Sequence, residues 1–171
     1  MNIYISGFMA AGKTTVGRKL ARILGRRFVD LDAQIERRGR RSIPKLFEDG
    51  EKSFRRLESA ALRLAARQNG QVVALGGGAL LSAQNKRLAR SSGILVSLTC
   101  AQPELWRRLK HGCRKRPLLA RRPQTRWLLL FKKRRRLYLD ADILVSTTRR
   151  TPHQAAMRIA ALLRRIEPRL V

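Results

Sequence analysis

Residues 7–14 read Gly-Phe-Met-Ala-Ala-Gly-Lys-Thr, the spacing G-x-x-x-x-G-K-[ST]. A glycine-bounded loop of this length turns successive backbone N–H groups toward one point, and a following helix adds its positive end. The chemistry implied is phosphate binding. Lys13 would reach the β- and γ-phosphates of a nucleotide, and the Thr14 hydroxyl would ligate Mg²⁺. The contacts expected around the nucleotide are Gly7, Ala10, Ala11, Gly12, Lys13, Thr14 and Thr15. A random chain of this length meets the pattern about one time in two hundred at ordinary residue frequencies.

Two further groups could act beside such a loop. Asp30 and Asp32 sit at the end of the run Arg27–Leu31, which reads as a strand. Alternation along a strand would put two such carboxylates on one side. One would serve hydrated Mg²⁺ and the other an acceptor hydroxyl; the competing reading makes Asp32 only the N-cap of the next helix. Gly76-Gly77-Gly78 follows another strand, and three glycines let a ligand approach the backbone closely, where a plain turn needs one. Residues 51–58, Glu-Lys-Ser-Phe-Arg-Arg-Leu-Glu, place arginines on a helix that could overlook the same crevice. In so basic a chain, an arginine is by default a solvated charge.

The elements that must position these groups follow from periodicity. Asn2–Ser6, Arg27–Leu31, Gln71–Leu75, Ile94–Leu98 and Ile143–Val145 read as strands. Lys13–Leu24 carries a buried stripe of Val16, Leu20, Ile23 and Leu24, stopped at Gly25. Residues 43–67 contain a longer helical stretch with Phe54, Leu57, Ala61, Leu64 and Ala65 on one side. Thr151 caps a last helix with Pro152 at its first position and Ala155, Ile159, Leu162, Leu163 and Ile166 inside. Strands alternating with helices predict an α/β fold: five parallel strands with helices on both faces. Residues 111–125, with Gly112, Pro117 and Pro123 among many arginines, read as a lid or a disordered segment.

The 171 residues suit one domain, 1–171. At 44% apolar the chain can build a core, and no apolar run is long enough to span a membrane. No basic region precedes a secretory hydrophobic stretch at the N-terminus, and Cys100 and Cys113 are too few for a disulfide framework, so a cytoplasmic location is expected. The net charge of +28 draws polyanions whatever the protein's task, and residues 107–136 hold no acidic side chain. Arginine-rich composition also arises from codon preference. Size disfavours a helicase or motor, and a guanine-reading N-K-x-D motif is missing after the fourth strand, which leaves a small-metabolite kinase as the simplest class.

Taken in order, the segments GFMAAGKTTVGRKLA, FVDLDAQIE, SIPKLFEDGEKSFRRLE, LGGGA, RPLL, the R-x-x-L-Y of 134–138 and the RRTP of 149–152 resemble shikimate kinases, over nearly the whole chain. Gluconate kinases share the loop and fold but not the combination of D-x-D, G-E-x-x-F-R and G-G-G. The resemblance implies an ATP- and Mg²⁺-dependent enzyme that phosphorylates the 3-hydroxyl of shikimate. It implies Thr14 and Asp30 at the metal, and Asp32 on the shikimate 3-hydroxyl. Arg55 and Arg134 would hold the shikimate carboxylate, and the Gly76, Gly77 and Gly78 backbone would contact its hydroxyls. Arg116 would swing in on a mobile lid, residues 112–124, to stabilise the transferring phosphoryl group. Arg150 and Arg108 would lie against the adenine, and residues 33–61 would form a substrate-binding segment.

Some positions depart from the family pattern. Ala10 replaces a usual glycine and adds a methyl group beside the phosphates. Arg136 replaces a usual proline, so Arg134, Arg135 and Arg136 compete for one role; spacing to Tyr138 favours Arg134. Ser146 stands where aspartate is common. The expected partner is a small molecule, with no specific nucleic acid, no membrane and a monomeric state. The rivals are a kinase of another polyol acid such as gluconate, and a basic nucleic-acid-associated protein on the same fold. Only Trp127 and Phe131 lie within the basic stretch as stacking aromatics, too few to favour the second rival.

Overall fold

A computed structural model of the chain describes residues 1–110, 119 and 123–166. Five strands form one all-parallel sheet: β1 (Asn2–Gly7), β2 (Arg27–Asp30), β3 (Gln71–Ala74), β4 (Gly93–Thr99) and β5 (Ile143–Ser146), in the order β2-β3-β1-β4-β5. The helices are α1 (Lys13–Ile23), α2 (Leu31–Gly39), α3 (Ile43–Glu48), α4 (Glu51–Ala66), α5 (Ala83–Ser92), α6 (Gln102–Leu109), α7 (Pro123–Leu139) and α8 (Pro152–Ile166). The α/β class and the five-stranded parallel sheet with helices on both faces are as expected.

Strand alternation divides the core into two layers. Ile3 and Ile5 of β1 join Val16 and Leu20 of α1 and Ile159 and Leu163 of α8. Tyr4 points the other way, to Leu31 and Ile35 of α2, Leu62 of α4 and Leu95 of β4. Thr151 caps α8 as expected: Gln154 N donates to Thr151 Oγ1 at 3.2 Å, and Thr151 N donates back to Gln154 Oε1 at 2.9 Å.

Three expectations are corrected. The stretch 43–67 is two helices, α3 and α4, broken at Gly50, whose φ is +95°. Leu57 is 42% exposed, because the buried face of α4 is Phe54, Glu58, Ala61, Leu62 and Ala65; a carboxylate occupies the core-facing position. Ile166, at the end of α8, is 55% exposed, one turn beyond the last contact of that helix with the core.

Asn2 ties the sheet to α4. Its amide, fully buried, donates to the Gln68 carbonyl at 2.6 Å and accepts from Gln71 N at 3.0 Å. At the far end of α7, Asp140 pairs with Lys86 and with Arg90 (2.6 Å), while Asp142 accepts from Leu95 N at 2.8 Å. These contacts fasten the α7–β5 turn to α5 and β4, and so fix the helix that carries Arg134.

Replacing the buried amide should expose the cost of unpaired backbone groups. Asn2→Ala leaves the Gln68 carbonyl and Gln71 N–H without side-chain partners, and urea unfolding should show a loss of about 2–3 kcal/mol. A change below about 0.5 kcal/mol would mean that other groups or water satisfy them.

Candidate active site

The phosphate loop begins where β1 ends. At Gly7, φ is +142° and a Cβ would lie 2.6 Å from the Leu98 carbonyl, so no larger residue fits. Ala10 holds φ +67°, a left-handed conformation that costs an alanine about 1–2 kcal/mol. The methyl group flagged in the sequence thus sits at a position glycine would occupy without strain. Gly12 caps α1 without a side chain, leaving the first N–H groups of the helix for a ligand. Lys13 Nζ donates to the carbonyls of Gly7 (3.0 Å) and Phe8 (3.4 Å), which holds the ammonium along the loop.

Thr14 Oγ1 donates to Asp30 Oδ2 at 2.7 Å. Asp30 is also the N-cap of α2, its other oxygen accepting from Ala33 N at 3.3 Å. The cap is therefore Asp30, not Asp32, and Asp32 lies in the first helical turn rather than on the strand. A hydroxyl beside one carboxylate is a hard-oxygen set suited to a hydrated divalent ion completed by phosphate oxygens. Among the described residues, no three His, Cys, Asp or Glu side chains gather to hold a metal by themselves.

The second half of the site is built over the glycine turn. A Cβ on Gly76 would clash with Glu58 Oε1 and lie 2.8 Å from Asp32 Oδ1; one on Gly78 would overlap the Arg55 guanidinium. The absent side chains let α2 and α4 bring an aspartate, an arginine and a glutamate together. Arg55 Nη1 donates to Glu58 Oε2 at 2.7 Å and Nη2 to Glu51 Oε1 at 2.9 Å. The guanidinium also lies over the Phe54 ring, 5.4 Å from its centre. Arg56 is exposed.

The α7 helix supplies the remaining cation. Arg134 is buried while Arg135 and Arg136 are exposed, so burial agrees with the spacing to Tyr138. Arg134 lies one turn before Tyr138, near enough for its charge to act on the Tyr138 hydroxyl, and that hydroxyl donates to the Gly77 carbonyl.

Electrostatics mark Glu58 as the constrained group. Burial pushes its carboxyl above the ordinary value of 4.5, with the pull of Arg55 offsetting this only in part. Burial alone would lower Arg55, but the carboxylates of Glu58 and Glu51 raise it and keep it charged. Burial likewise raises Tyr138, against the opposing pull of Arg134.

On the β5 side, Arg108 donates to the Thr147 carbonyl at 2.9 Å and to Glu104 at 2.6 Å, and Arg150 Nη1 donates to the Ser146 carbonyl at 3.0 Å. These two arginines flank the loop after β5. Thr147 Oγ1 donates to the Ala11 carbonyl at 3.3 Å, joining that loop to the phosphate loop. Arg116 lies outside the described residues, as does most of the expected lid, 112–124.

Glu58, Tyr138 and Thr147 make contacts at the crevice that the sequence reading does not assign. A signal existed for Glu58: an acid at i+4 from Phe54, on the apolar stripe of a helix, is either paired or misplaced. Tyr138 and Thr147 had none beyond their proximity to named residues.

A phosphate loop at the carboxyl end of a parallel sheet, with carboxylates and arginines across the crevice, defines a P-loop phosphotransferase that uses a nucleoside triphosphate. Comparison with known proteins narrows the class. The family described as shikimate kinase matches residues 9–164. A shikimate kinase of Bordetella avium is 43% identical over 171 residues, covering 98% of this chain and 78% of that protein. The structure of a shikimate kinase from Acinetobacter baumannii in complex with shikimate superposes with a TM-score of 0.91 at 37% identity, covering 97% of this chain and 94% of that one. The chain belongs to the shikimate kinase family, and it is an ATP-using kinase. A gluconokinase from Sinorhizobium meliloti, at 16% identity and a TM-score of 0.65 over 99% of this chain and 94% of that one, shares the fold alone.

The raised carboxyl of Glu58 has a consequence for stability. A group protonated more readily in the folded state contributes fully below its unfolded value and loses that contribution as pH rises through the folded one. Relative to Glu58→Gln, the native chain should lose stability as pH climbs from about 4.5, then level off, in urea titrations across pH 4–8. A difference that grows in favour of the native chain over that range would reverse the assignment.

Proposed function

We propose that this chain transfers the γ-phosphoryl group of ATP to the 3-hydroxyl of shikimate, giving shikimate 3-phosphate and ADP. The observation that carries the reading is the convergence of Asp32, Arg55, Glu58 and Arg134 on the glycine turn beside the phosphate loop. A substrate with one carboxylate and ring hydroxyls needs a cationic fork, a hydroxyl-facing backbone and a carboxylate base. Arg55 and Arg134 are the fork, the Gly76, Gly77 and Gly78 backbone faces the hydroxyls, and Asp32 accepts the 3-hydroxyl proton as the oxygen attacks phosphorus.

On the nucleotide side, Gly7, Ala10, Ala11, Gly12 and Thr15 surround the phosphates with N–H groups and a hydroxyl. Lys13 neutralises the β- and γ-oxygens. Thr14 and Asp30 would hold Mg²⁺, which supplies further charge neutralisation when bound. Arg108 and Arg150 flank the base, and Arg116 stabilises the phosphoryl group in transfer. Catalysis on this account is positioning and charge compensation. We take residues 1–171 as one domain, with 33–61 closing over shikimate and 112–124 over ATP. The chain acts as a cytoplasmic monomer, and its basic surface binds nucleic acid only without sequence preference. Among the described residues no helix is long and apolar enough to cross a membrane.

Two substitutions and three substrates test this. With shikimate, Arg55→Lys keeps the charge but loses the two-pronged geometry, at about 1–3 kcal/mol. It should raise the KM for shikimate and leave that for ATP unchanged. Arg56→Lys, about 100° around the helix, should be near normal. Shikimate should be phosphorylated in preference to quinate and gluconate. A silent Arg55→Lys, or preference for gluconate, would overturn the substrate assignment.

A further inference from the structure

Outside the site just described, an open cleft of about 450 Å³ lies between α6, α7 and the ends of β4 and β5. Its size is that of a small-molecule site. Phe131, half-buried, lines it together with the edges of the buried Phe8 and Tyr138, with Leu105 among its apolar walls. Leu139 and Leu144 at the cleft are each 46% exposed, an unusual state for two neighbouring leucines. Arg135 is the one charged residue in the lining, and it makes no ion pair among the described residues. None of the residues assigned above to phosphates, metal, adenine or shikimate lines the cleft.

We infer that this cleft binds a small aryl carboxylate, its ring against Phe8, Phe131 and Tyr138 and its carboxylate on the Arg135 guanidinium. The chemistry follows from the lining. Aromatic walls favour a ring that can meet them edge to face, as Phe8 already meets Phe131 at 5.3 Å and 79°. A lone guanidinium without an acidic neighbour in the lining favours a carboxylate, which it can hold by two parallel hydrogen bonds. A dication finds no carboxylate in the lining.

Occupancy would be felt at both halves of the active site. Phe8 belongs to the phosphate loop, and Tyr138 holds the Gly77 carbonyl through its hydroxyl. It would also be visible. The only tryptophans of the chain, Trp106 and Trp127, lie 5.4 Å apart, and Trp127 stacks on Phe131 at 5.5 Å.

The test uses the full chain with 3-phenylpropanoate as probe and its neutral amide, 3-phenylpropanamide, as control, followed by tryptophan fluorescence and calorimetry. The expected result is saturable binding of the carboxylate that persists with ATP and shikimate present. Arg135→Gln should weaken the carboxylate about tenfold or more. It should leave the amide's affinity and the basal kcat unchanged. Leu144→Arg, at a half-exposed position, should abolish binding of both probes. No saturable signal, displacement by ATP or shikimate, or equal weakening of both probes by Arg135→Gln would overturn the proposal. So would light scattering that shows a dimer dissolved by Leu144→Arg, since a second copy of the chain would then be the occupant.

Discussion

A carboxylate removed from water must be paired, or it costs the fold several kcal/mol. Glu58, 1% exposed, is that carboxylate here, and the crevice wall at the glycine turn is arranged around it. Arg55 pairs with it across one turn of α4, which fixes the direction of the guanidinium. Gly76 has no side chain because Glu58 and Asp32 occupy the space; Gly78 has none because Arg55 does. The glycine turn, the acid and the fork are one packing solution rather than three motifs.

The two halves of the site are held in register by the sheet. Thr14 on α1 meets Asp30 at the end of β2, although β1 and β2 are separated by β3. Leu75 N donates to the Ile5 carbonyl at 2.9 Å, so the turn leading to Gly76 starts level with the end of β1. From the opposite side, α7 adds Arg134 and Tyr138, and the Asp140 and Asp142 contacts hold its end. A parallel sheet gathers the carboxyl ends of its strands on one edge, which is why residues as distant in sequence as Lys13, Asp32 and Gly76 become neighbours.

Most of this was legible before any coordinates. The phosphate loop, the strands and the class of fold follow from residue type and spacing, as does attention to Asp30, Asp32 and the glycine triplet, whereas Arg55 and Arg134 are singled out only by the family resemblance. What escaped had physical causes. Alternation fits D-x-D and puts Asp32 at a strand end, whereas the hydrogen bond from Ala33 N to Asp30 starts a helix there. An apolar residue outranks an acid in any periodicity reading, which puts Leu57 in the core, whereas Glu58 is admitted there by its partner Arg55. The resemblance brings Arg134, Arg135 and Arg136 into contention, spacing to Tyr138 favours Arg134, and Arg134 is the buried one of the three. Ala10 was recognised as a departure, but its left-handed backbone belongs to the loop's geometry and not to its composition.

If the pairing of Glu58 with Arg55 sets how the guanidinium meets substrate, the two residues are energetically coupled. A double-mutant cycle tests it directly: the native chain, Glu58→Gln, Arg55→Lys and the double variant, each checked for folding by circular dichroism and assayed for shikimate KM. Coupled residues show interaction energies of about 0.5–3 kcal/mol, so the double variant should be little worse than Arg55→Lys alone. Losses that simply add would mean that Glu58 and Arg55 act independently, and would contradict the account.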